Sequence, residues 1–519
     1  MNARDAGGGA PSGDIAALAR GGRTNIAGFG LRLVARLPFL FIAGRLYGPE
    51  LVGRFALAVV VVEFAALLAT LGLKRGLAQA LSDTDRPHAH VAWDGLAVAF
   101  LFSLLASAVL VAFPGIMYPN SRITGLDRML GLAVVAVAWS DVSLAALAYR
   151  LNVRATVTAR AVVEPWTISI AAWGFYYVSA RDGLVFAYVL SMLAALTASM
   201  IPFVRSYGLP RGWSPHFSTM AALARRNVPL AGADAVEWAT RNVDRFILGV
   251  LFGPAVVGIY YMAQQVASLP QKLKTSFDPV LGPVITKSLA AGDKAAVARQ
   301  VRQVGFWIVA AQGALALVFA IPAEAVMGII GPQFVVGAGA LIFLLMAEVF
   351  AAMGAVSESA LVYMARHRNL VIGLAMLAVQ IGLSFIIVHA IRAGGWPVMY
   401  QAAGPAIALA LSLGATSIVR TRFLHRLLGH HVSGWRWPLV WAALAAGVVG
   451  WVAVQVPEWA ELIAGIPAIL GTYAWVLYRW AFRDEDRALF RKMPRGDEPA
   501  LPVDPGSPSA LSDESGARR

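Results

Sequence analysis

Fourteen mainly apolar stretches fill most of this 519-residue chain, at 24–46, 51–73, 91–113, 128–149, 161–179, 184–205, 227–251, 255–285, 304–322, 338–364, 370–391, 400–420, 438–455 and 461–480. Each is near the roughly 20 residues that an α-helix needs to span a bilayer. Inside hydrocarbon the backbone finds no water, so its hydrogen bonds must close within the segment, and isolated stretches of this length do that as helices. The expected fold class is an all-α polytopic membrane protein with about 14 transmembrane helices. Composition agrees: 58% of residues are hydrophobic and 14% charged, where a soluble domain carries about 25% charged residues. The chain has no cysteine, which excludes disulfides, thiolate metal ligation and a cysteine nucleophile.

The net charge of +14 would also suit a nucleic-acid partner, but the basic residues segregate. Lys74, Arg75 and Arg86, then Arg150, Arg154 and Arg160, then Arg225 and Arg226, fall on the side of the N-terminus. So do Lys287, Lys294, Arg299, Arg302, Arg420, Arg422, Arg426 and Arg436. The other side and its rims hold Arg45, Arg54, Arg122, Arg128, Arg181 and Arg392. Basic loops stay in the cytoplasm. Both termini are therefore expected there, in a bacterial inner membrane, with no nucleic acid bound. Residues 1–23 lack the apolar core of a cleavable signal and read as a cytoplasmic tail. Residues 481–519, rich in Pro, Asp, Ser and Gly, read as a disordered cytoplasmic tail. The turns on the outer side are short, so any chemistry must sit inside the bundle or at its mouths.

One unit occurs twice. Arg36 to Ala58 matches Arg241 to Ala263 without a gap at Arg36/Arg241, Phe41/Phe246, Ile42/Ile247, Gly44/Gly249, Leu46/Leu251, Gly48/Gly253, Pro49/Pro254, Val52/Val257, Gly53/Gly258 and Ala58/Ala263. Six spans separate the copies. That number is even, so both copies cross in the same direction. Parallel repeats are related by an axis along the membrane normal, with a site near the midplane at their interface. The expectation is two parallel six-helix lobes around a central cavity plus two C-terminal helices. The N-lobe is 24–205 (helices 1–6), a cytoplasmic linker is 206–226, the C-lobe is 227–420 (helices 7–12), and helices 13–14 occupy 421–480.

Charges inside the spans mark the candidate site. Arg32 and Arg36 lie four apart on one face of the first helix. Asp234, Glu237, Arg241, Asp244 and Arg245 share a face of the seventh. A charge at bilayer depth costs at least about 2.5–3.5 kcal/mol, so these groups must line a wet cavity or pair with one another. One reading is a cationic cavity for an anionic head group, since the arginine fork donates two hydrogen bonds to a phosphate. The other is an ion-pair lattice between lobes, with Glu237 and Arg241 paired at i,i+4. Lys272, Lys274 and Asp278 line the cavity or snorkel to the cytoplasm. Glu63 and Glu348, both mid-span, are candidates with Asp234, Glu237 and Asp244 for coupling to protons or another cation. Asp141 and Glu358 are weaker candidates of that kind. Glu164 precedes Pro165 and reads as a first-turn acid at a helix start. The eighth span carries Pro270, Pro279 and Pro283 and should be kinked. His88, His90, His430 and His431 have no third ligand at metal spacing. Without a Walker loop or nucleophile elbow the chain is not expected to be an enzyme or to hold a cofactor or metal.

The intramembrane arginines running into Gly48-Pro49-Glu50-x-x-Gly53-x-Phe55, with Asp244-Arg245-Phe246-Ile247-Leu248-Gly249, Gly258-Ile259-Tyr260 and Pro279-x-x-x-Pro283, resemble a known group. This is the polysaccharide-exporter branch, including O-antigen flippases of the Wzx type, of the multidrug/oligosaccharidyl-lipid/polysaccharide flippase superfamily. The resemblance covers most of the chain. It implies translocation of an undecaprenyl-diphosphate-linked oligosaccharide for lipopolysaccharide or exopolysaccharide biosynthesis. It also implies partners among membrane lipids and the polysaccharide polymerase and chain-length machinery. By that match Arg32, Arg36, Arg241 and Arg245 would meet the head group. The acids Asp234, Glu237 and Asp244 make the cavity less cationic than its arginines alone. That leaves two alternatives of the same fold open, an H⁺- or Na⁺-coupled exporter of organic cations and a flippase of the peptidoglycan lipid precursor.

Overall fold

The computed structural model describes residues 35–119, 121–124, 126–275, 285, 288, 289, 291–457, 461–483 and 486. Among these, fourteen helical segments follow the fourteen apolar stretches. They are α1 (35–47), α2 (Gly48–Ala69), α3 (His88–Ala112), α4 (Leu126–Tyr149), α5 (153–176), α6 (Gly183–Tyr207) and α7 (Phe217–Leu251) in the first half of the chain. Then come α8 (Pro254–Thr275), α9 (Lys294–Ala320), α10 (Ala338–Met364), α11 (Arg366–Ala393), α12 (Val398–Leu428), α13 (Pro438–Ala453) and α14 (461–481). Eight stretches among the described residues are long and apolar enough to cross a membrane by length and composition alone. The helices α7 and α8 do not pass that test. The reason is their polar load: five charged residues from Asp234 to Arg245 in α7, and Gln264, Gln265 and Ser268 in α8. Helices so unlike lipid must turn a face inward.

Turn chemistry builds each copy of the repeat. At the end of α1 Gly48 sits at φ 74°, a conformation glycine adopts without penalty. Pro49 then takes the first turn of α2, where its missing N–H goes unused. Pro254 opens α8 in the same way. The two copies meet at these turns through reciprocal contacts. A Cβ on Gly53 would lie 1.7 Å from the carbonyl oxygen of Pro254, and one on Gly258 would lie 1.9 Å from that of Pro49. Because Gly53 pairs with Gly258 and Pro49 with Pro254 in the repeat, this is one contact made twice. Only glycine lets two backbones approach so closely.

The apolar cores divide accordingly. One cluster draws on both halves, from Phe39, Val52 and Tyr188 to Tyr260, Met327 and Leu341. A second lies within the first half, from Leu73 to Met220, and a third within the second half and the last two helices, from Ile285 to Ala481. The lobes are thus fused at the face of the glycine contact and separately packed toward the face that carries most lysines and arginines, called here the basic face. On the opposite face Asp127 gathers Arg54 (3.1 Å) and Arg181 (3.4 Å).

Three local expectations are corrected. The second stretch does not run to residue 73. It ends at Ala69, and after Gly72 at φ 74° a separate short helix, Leu73–Ser82, begins. Glu164 begins the α-helical stretch Glu164–Tyr176 but not at a free helix end: helix runs into it from residue 153 through a π-turn at Thr158–Val163, and Glu164 pairs with Arg160 at 2.8 Å. The C-terminal tail does not become disordered at 481, because Asp486 is fully buried. Its carboxylate accepts from Gln303 (3.0 Å), Trp307 (2.9 Å) and Arg436 (2.6 Å), tying the end of α14 to α9 and to the segment before α13. Pro270 lies inside α8; Pro279, Pro283 and the N-terminal tail fall outside the described residues.

Leucine at Gly53 should prop the fused face open, since overpacking a tight contact costs about 1–3 kcal/mol. The measurement is labelling of a single cysteine at Gln265 by an impermeant maleimide applied from the face opposite the basic one. Faster labelling in G53L is expected; an unchanged rate at normal protein level would mean the glycine contact is not the seal.

Candidate functional site

Helices α1, α2, α7, α8, α10 and α12 enclose a central cavity of about 270 Å³ lined by Arg36, Glu63, Arg241, Asn242, Arg245, Tyr261, Gln264 and Glu348, among others. A larger cavity of about 550 Å³ adjoins it, with Lys74, Asp141, Arg160, Glu164 and Tyr188 of the first half and Trp238 of α7 on its wall. Arg36 and Glu63 line both. Of the five charged residues expected on one face of α7, Arg241 and Arg245 line the central cavity, while Asp234, Glu237 and Asp244 are absent from its lining.

Arg241 donates to Glu348 of α10 at 3.1 Å, and both side chains are partly buried. Arg245 is 7% exposed. Its guanidinium bonds to Asn242 and lies over the Tyr261 ring at 5.6 Å. Asp244, next in sequence, turns away from the cavity and is fully buried. It accepts from the Tyr260 hydroxyl (2.6 Å) and from Gln264 (3.2 Å). These bonds make it a brace between α7 and α8. Asp234 and Glu237 stand nearer the basic face, where Arg75 reaches both, at 3.0 and 2.7 Å. Glu63 has no hydrogen bond or ion pair among the described residues. Arg32 and Asp278 lie outside those residues, and of Lys272 and Lys274 only the helical backbone is described.

Two features of the site escaped sequence reasoning. Arg75 and Lys74 were read as loop cations because they follow an apolar stretch, yet the short helix folds them back against the bundle. Lys74 lies 3.6 Å from Asp141, which is also bonded by Arg160. Arg160 in turn holds Glu164. A π-turn carries Arg160, and such turns often mark functional positions. Nothing in hydrophobic periodicity announces it. Trp238 stacks on Phe64 at 4.8 Å between ring centres and presents an aromatic wall to the larger cavity.

Comparison with known proteins places this architecture. A family described as "Polysaccharide biosynthesis protein" matches residues 42–338. The succinoglycan biosynthesis transport protein ExoT of Rhizobium meliloti (strain 1021) is 25% identical over 259 residues, covering 48% of each chain. The chain thus spans about half the length of the curated relative it matches. Among solved structures, the lipid II flippase MurJ in an inward closed conformation is similar with a TM-score of 0.69 and 11% identity, covering 89% of this chain and 99% of that one. An inward-facing multidrug resistance MATE family transporter of the MOP superfamily gives 0.57 and 14%, covering 78% and 94%. These structural likenesses show the fold that the chain shares with those two proteins.

If the Arg241–Glu348 contact orders α7 against α10, the two residues will be energetically coupled. A double-mutant cycle with R241A, E348A and R241A/E348A, read by thermal unfolding in detergent, should give a coupling of about 0.5–3 kcal/mol. Strict additivity would reduce the pair to a chance contact.

Proposed function

The chain belongs to the polysaccharide biosynthesis protein family, and on that premise we propose that it is a flippase carrying an undecaprenyl-diphosphate-linked oligosaccharide across the bacterial inner membrane by alternating access. The observation that carries this reading is the chemistry of the central cavity. Three arginines, Arg36, Arg241 and Arg245, line it against two carboxylates, Glu63 and Glu348. Glu348 is already engaged by Arg241. A wall with a surplus of guanidinium groups suits a diphosphate, which can accept two parallel bonds from each fork. The adjoining cavity, with its charged groups and Trp238, offers hydrogen-bonding and stacking surfaces of the kind sugars require.

The alternative, an exporter of organic cations, needs carboxylates presented to the cargo. Asp234, Glu237, Asp141, Glu164 and Glu348 all have basic partners within 3.1 Å. Glu63 is the exception among the described lining carboxylates, and we assign it the coupling role. In this reading the basic face and both termini are cytoplasmic by the positive-inside rule. Cargo enters there and leaves toward the polymerase and chain-length machinery, and the boundaries of the two lobes at 24–205 and 227–420 describe the moving units.

A charge-assisted hydrogen bond contributes about 1.5–3 kcal/mol. Removing Arg36, Arg241 or Arg245 as alanine should therefore lower surface polysaccharide about tenfold or more in cells with normal amounts of protein. Lysine at the same places should restore part of it by keeping the charge without the fork. Wild-type polymer from all three alanine variants would refute the head-group role. For Glu63, E63Q in proteoliposomes should translocate substrate without acceleration by an imposed proton or sodium gradient; retained acceleration would remove Glu63 from coupling.

A further inference from the structure

The two ends of the cleft between the lobes are closed by different chemistry. At one face the closure is backbone against glycine, at Gly53 and Gly258. At the basic face the short helix Leu73–Ser82 of the first half lies against the start of α7. A Cβ on Gly76 would fall 1.7 Å from Asn227 Oδ1, and one on Gly72 would fall 2.6 Å from the Ala231 nitrogen. Arg75, between those glycines in sequence, crosses to α7. Its Nε lies 3.0 Å from Asp234 Oδ1 and its Nη2 2.7 Å from Glu237 Oε2. A second pair, Arg226 with Asp83 at 2.5 Å, bridges the same junction. It holds the Asp83 carboxyl below its usual range through the hydrogen bond from Arg226.

We propose that Arg75 is the first anion-binding group at this mouth, held by Asp234 and Glu237 in the closed state and handed to the diphosphate of the cargo when the mouth opens. The inference rests on the reading of the cargo as a diphosphate lipid and adds where it is first met and what that contact does. Three observations support it. The Arg75 and Glu237 side chains are 53% and 59% exposed, so the pair is in reach of a head group, and solvent-exposed pairs contribute little net stability. A diphosphate competes well for a guanidinium, because it accepts the same two-pronged geometry with more charge. The path beyond is continuous. Lys74, adjacent to Arg75, lines the larger cavity with Arg160 and Arg36, and Arg36 lines the central one with Arg241 and Arg245.

The arrangement also satisfies a thermodynamic requirement. A ligand opens a gate only as far as it binds the open state better than the closed one. Arg75 supplies that difference: the carboxylates of the other lobe occupy it when the mouth is shut and leave it when the lobes part. At the glycine seal the closing contact is backbone against backbone, which offers the cargo no such exchange of partners. The head group can therefore unlock the basic face without touching the far one.

The absence of native cysteine makes the test direct. A single cysteine at Ser268, on the central cavity wall, is labelled by an impermeant maleimide from the basic face in sealed proteoliposomes oriented with that face outward, with undecaprenyl diphosphate as the probe. Undecaprenyl diphosphate should raise labelling of the otherwise wild-type chain roughly fivefold or more. R75Q should label fast without the lipid and gain nothing from it. D234N/E237Q should also label fast, but should bind undecaprenyl diphosphate more tightly than wild type, because Arg75 no longer has to leave its carboxylates. A plain structural bridge would not tighten binding in that variant, so unchanged or weaker affinity overturns the proposal. R75K, which keeps the charge, should retain part of the response, and it replaces R75Q should that variant fold poorly. Inorganic pyrophosphate at equal concentration should have little effect. An equal effect would assign the contact to a soluble anion and overturn the lipid-borne form of the idea. Binding by wild type with an unaltered response in R75Q would remove the latch and leave the flippase reading standing. No binding by wild type would remove both.

Discussion

A charged side chain in a bilayer must find water or a counter-charge, and in this protein that demand determines which helices touch. Arg241 reaches across to α10 for Glu348, Arg75 to α7 for Asp234 and Glu237, and Arg160 to Asp141 on α4. Arg420 on α12 finds Glu358 on α10 at 2.8 Å. Buried ion pairs add little net stability but penalise any arrangement that separates them. The helices of each lobe are therefore registered by their charges, while close apolar packing supplies the cohesion. Of these pairs, only the one that Arg75 makes with Asp234 and Glu237 joins the two halves.

The two seals show how a duplicated scaffold acquires direction. The repeat copied the glycines and prolines of the fused face, so that contact is symmetric and indifferent to what the cavity holds. Apart from Arg36/Arg241, the charges were not copied. Where the first copy has Phe39 and Leu40, both buried, the second has Asp244 and Arg245. One of that pair braces α8 through Tyr260 and the other enters the cavity. The short helix Leu73–Ser82 of the basic-face seal lies beyond the duplicated stretch. A symmetric apolar closure at one end and a charged one at the other give the molecule two unlike doors.

The fold was legible because its signals are strong and local: apolar length for the spans, charge segregation for the faces, and the Gly-Pro turns for the repeat. The cavity arginines Arg36, Arg241 and Arg245 were legible for the same reason, as charges where lipid forbids them. What stayed hidden depends on geometry beyond one helix. Periodicity placed Asp244 on the same face as Arg241, but helical spacing cannot tell a cavity from a helix interface a few ångströms around the barrel of α7. Lys74, Arg75 and Arg160 were concealed by the rule that located the faces, since counting them as loop cations hides that they reach inward. Asp486 was missed because polar composition reads as disorder, and a single buried carboxylate inside a polar segment leaves no pattern in sequence.

The acids that seemed to argue against a diphosphate cargo then take on a different role. A carrier gains nothing from a cavity that binds its cargo equally well in every state, and a wall of unopposed arginines would hold a diphosphate without release. Here carboxylates stand beside the guanidinium groups: Glu348 at Arg241, Asp234 and Glu237 at Arg75, Asp141 and Glu164 at Arg160. Of these, only Asp234 and Glu237 stand across the two halves from their arginine, so in the proposed cycle the affinity offered to an anion rises where that pair is parted and falls where it re-forms. In the proposed cycle, alternation of pairing in place of permanent positive charge would let a head group be bound on one side and surrendered on the other. The mixed charge of α7 is on this view a requirement of transport, and its acids belong to the cargo site as competitors for the same arginines.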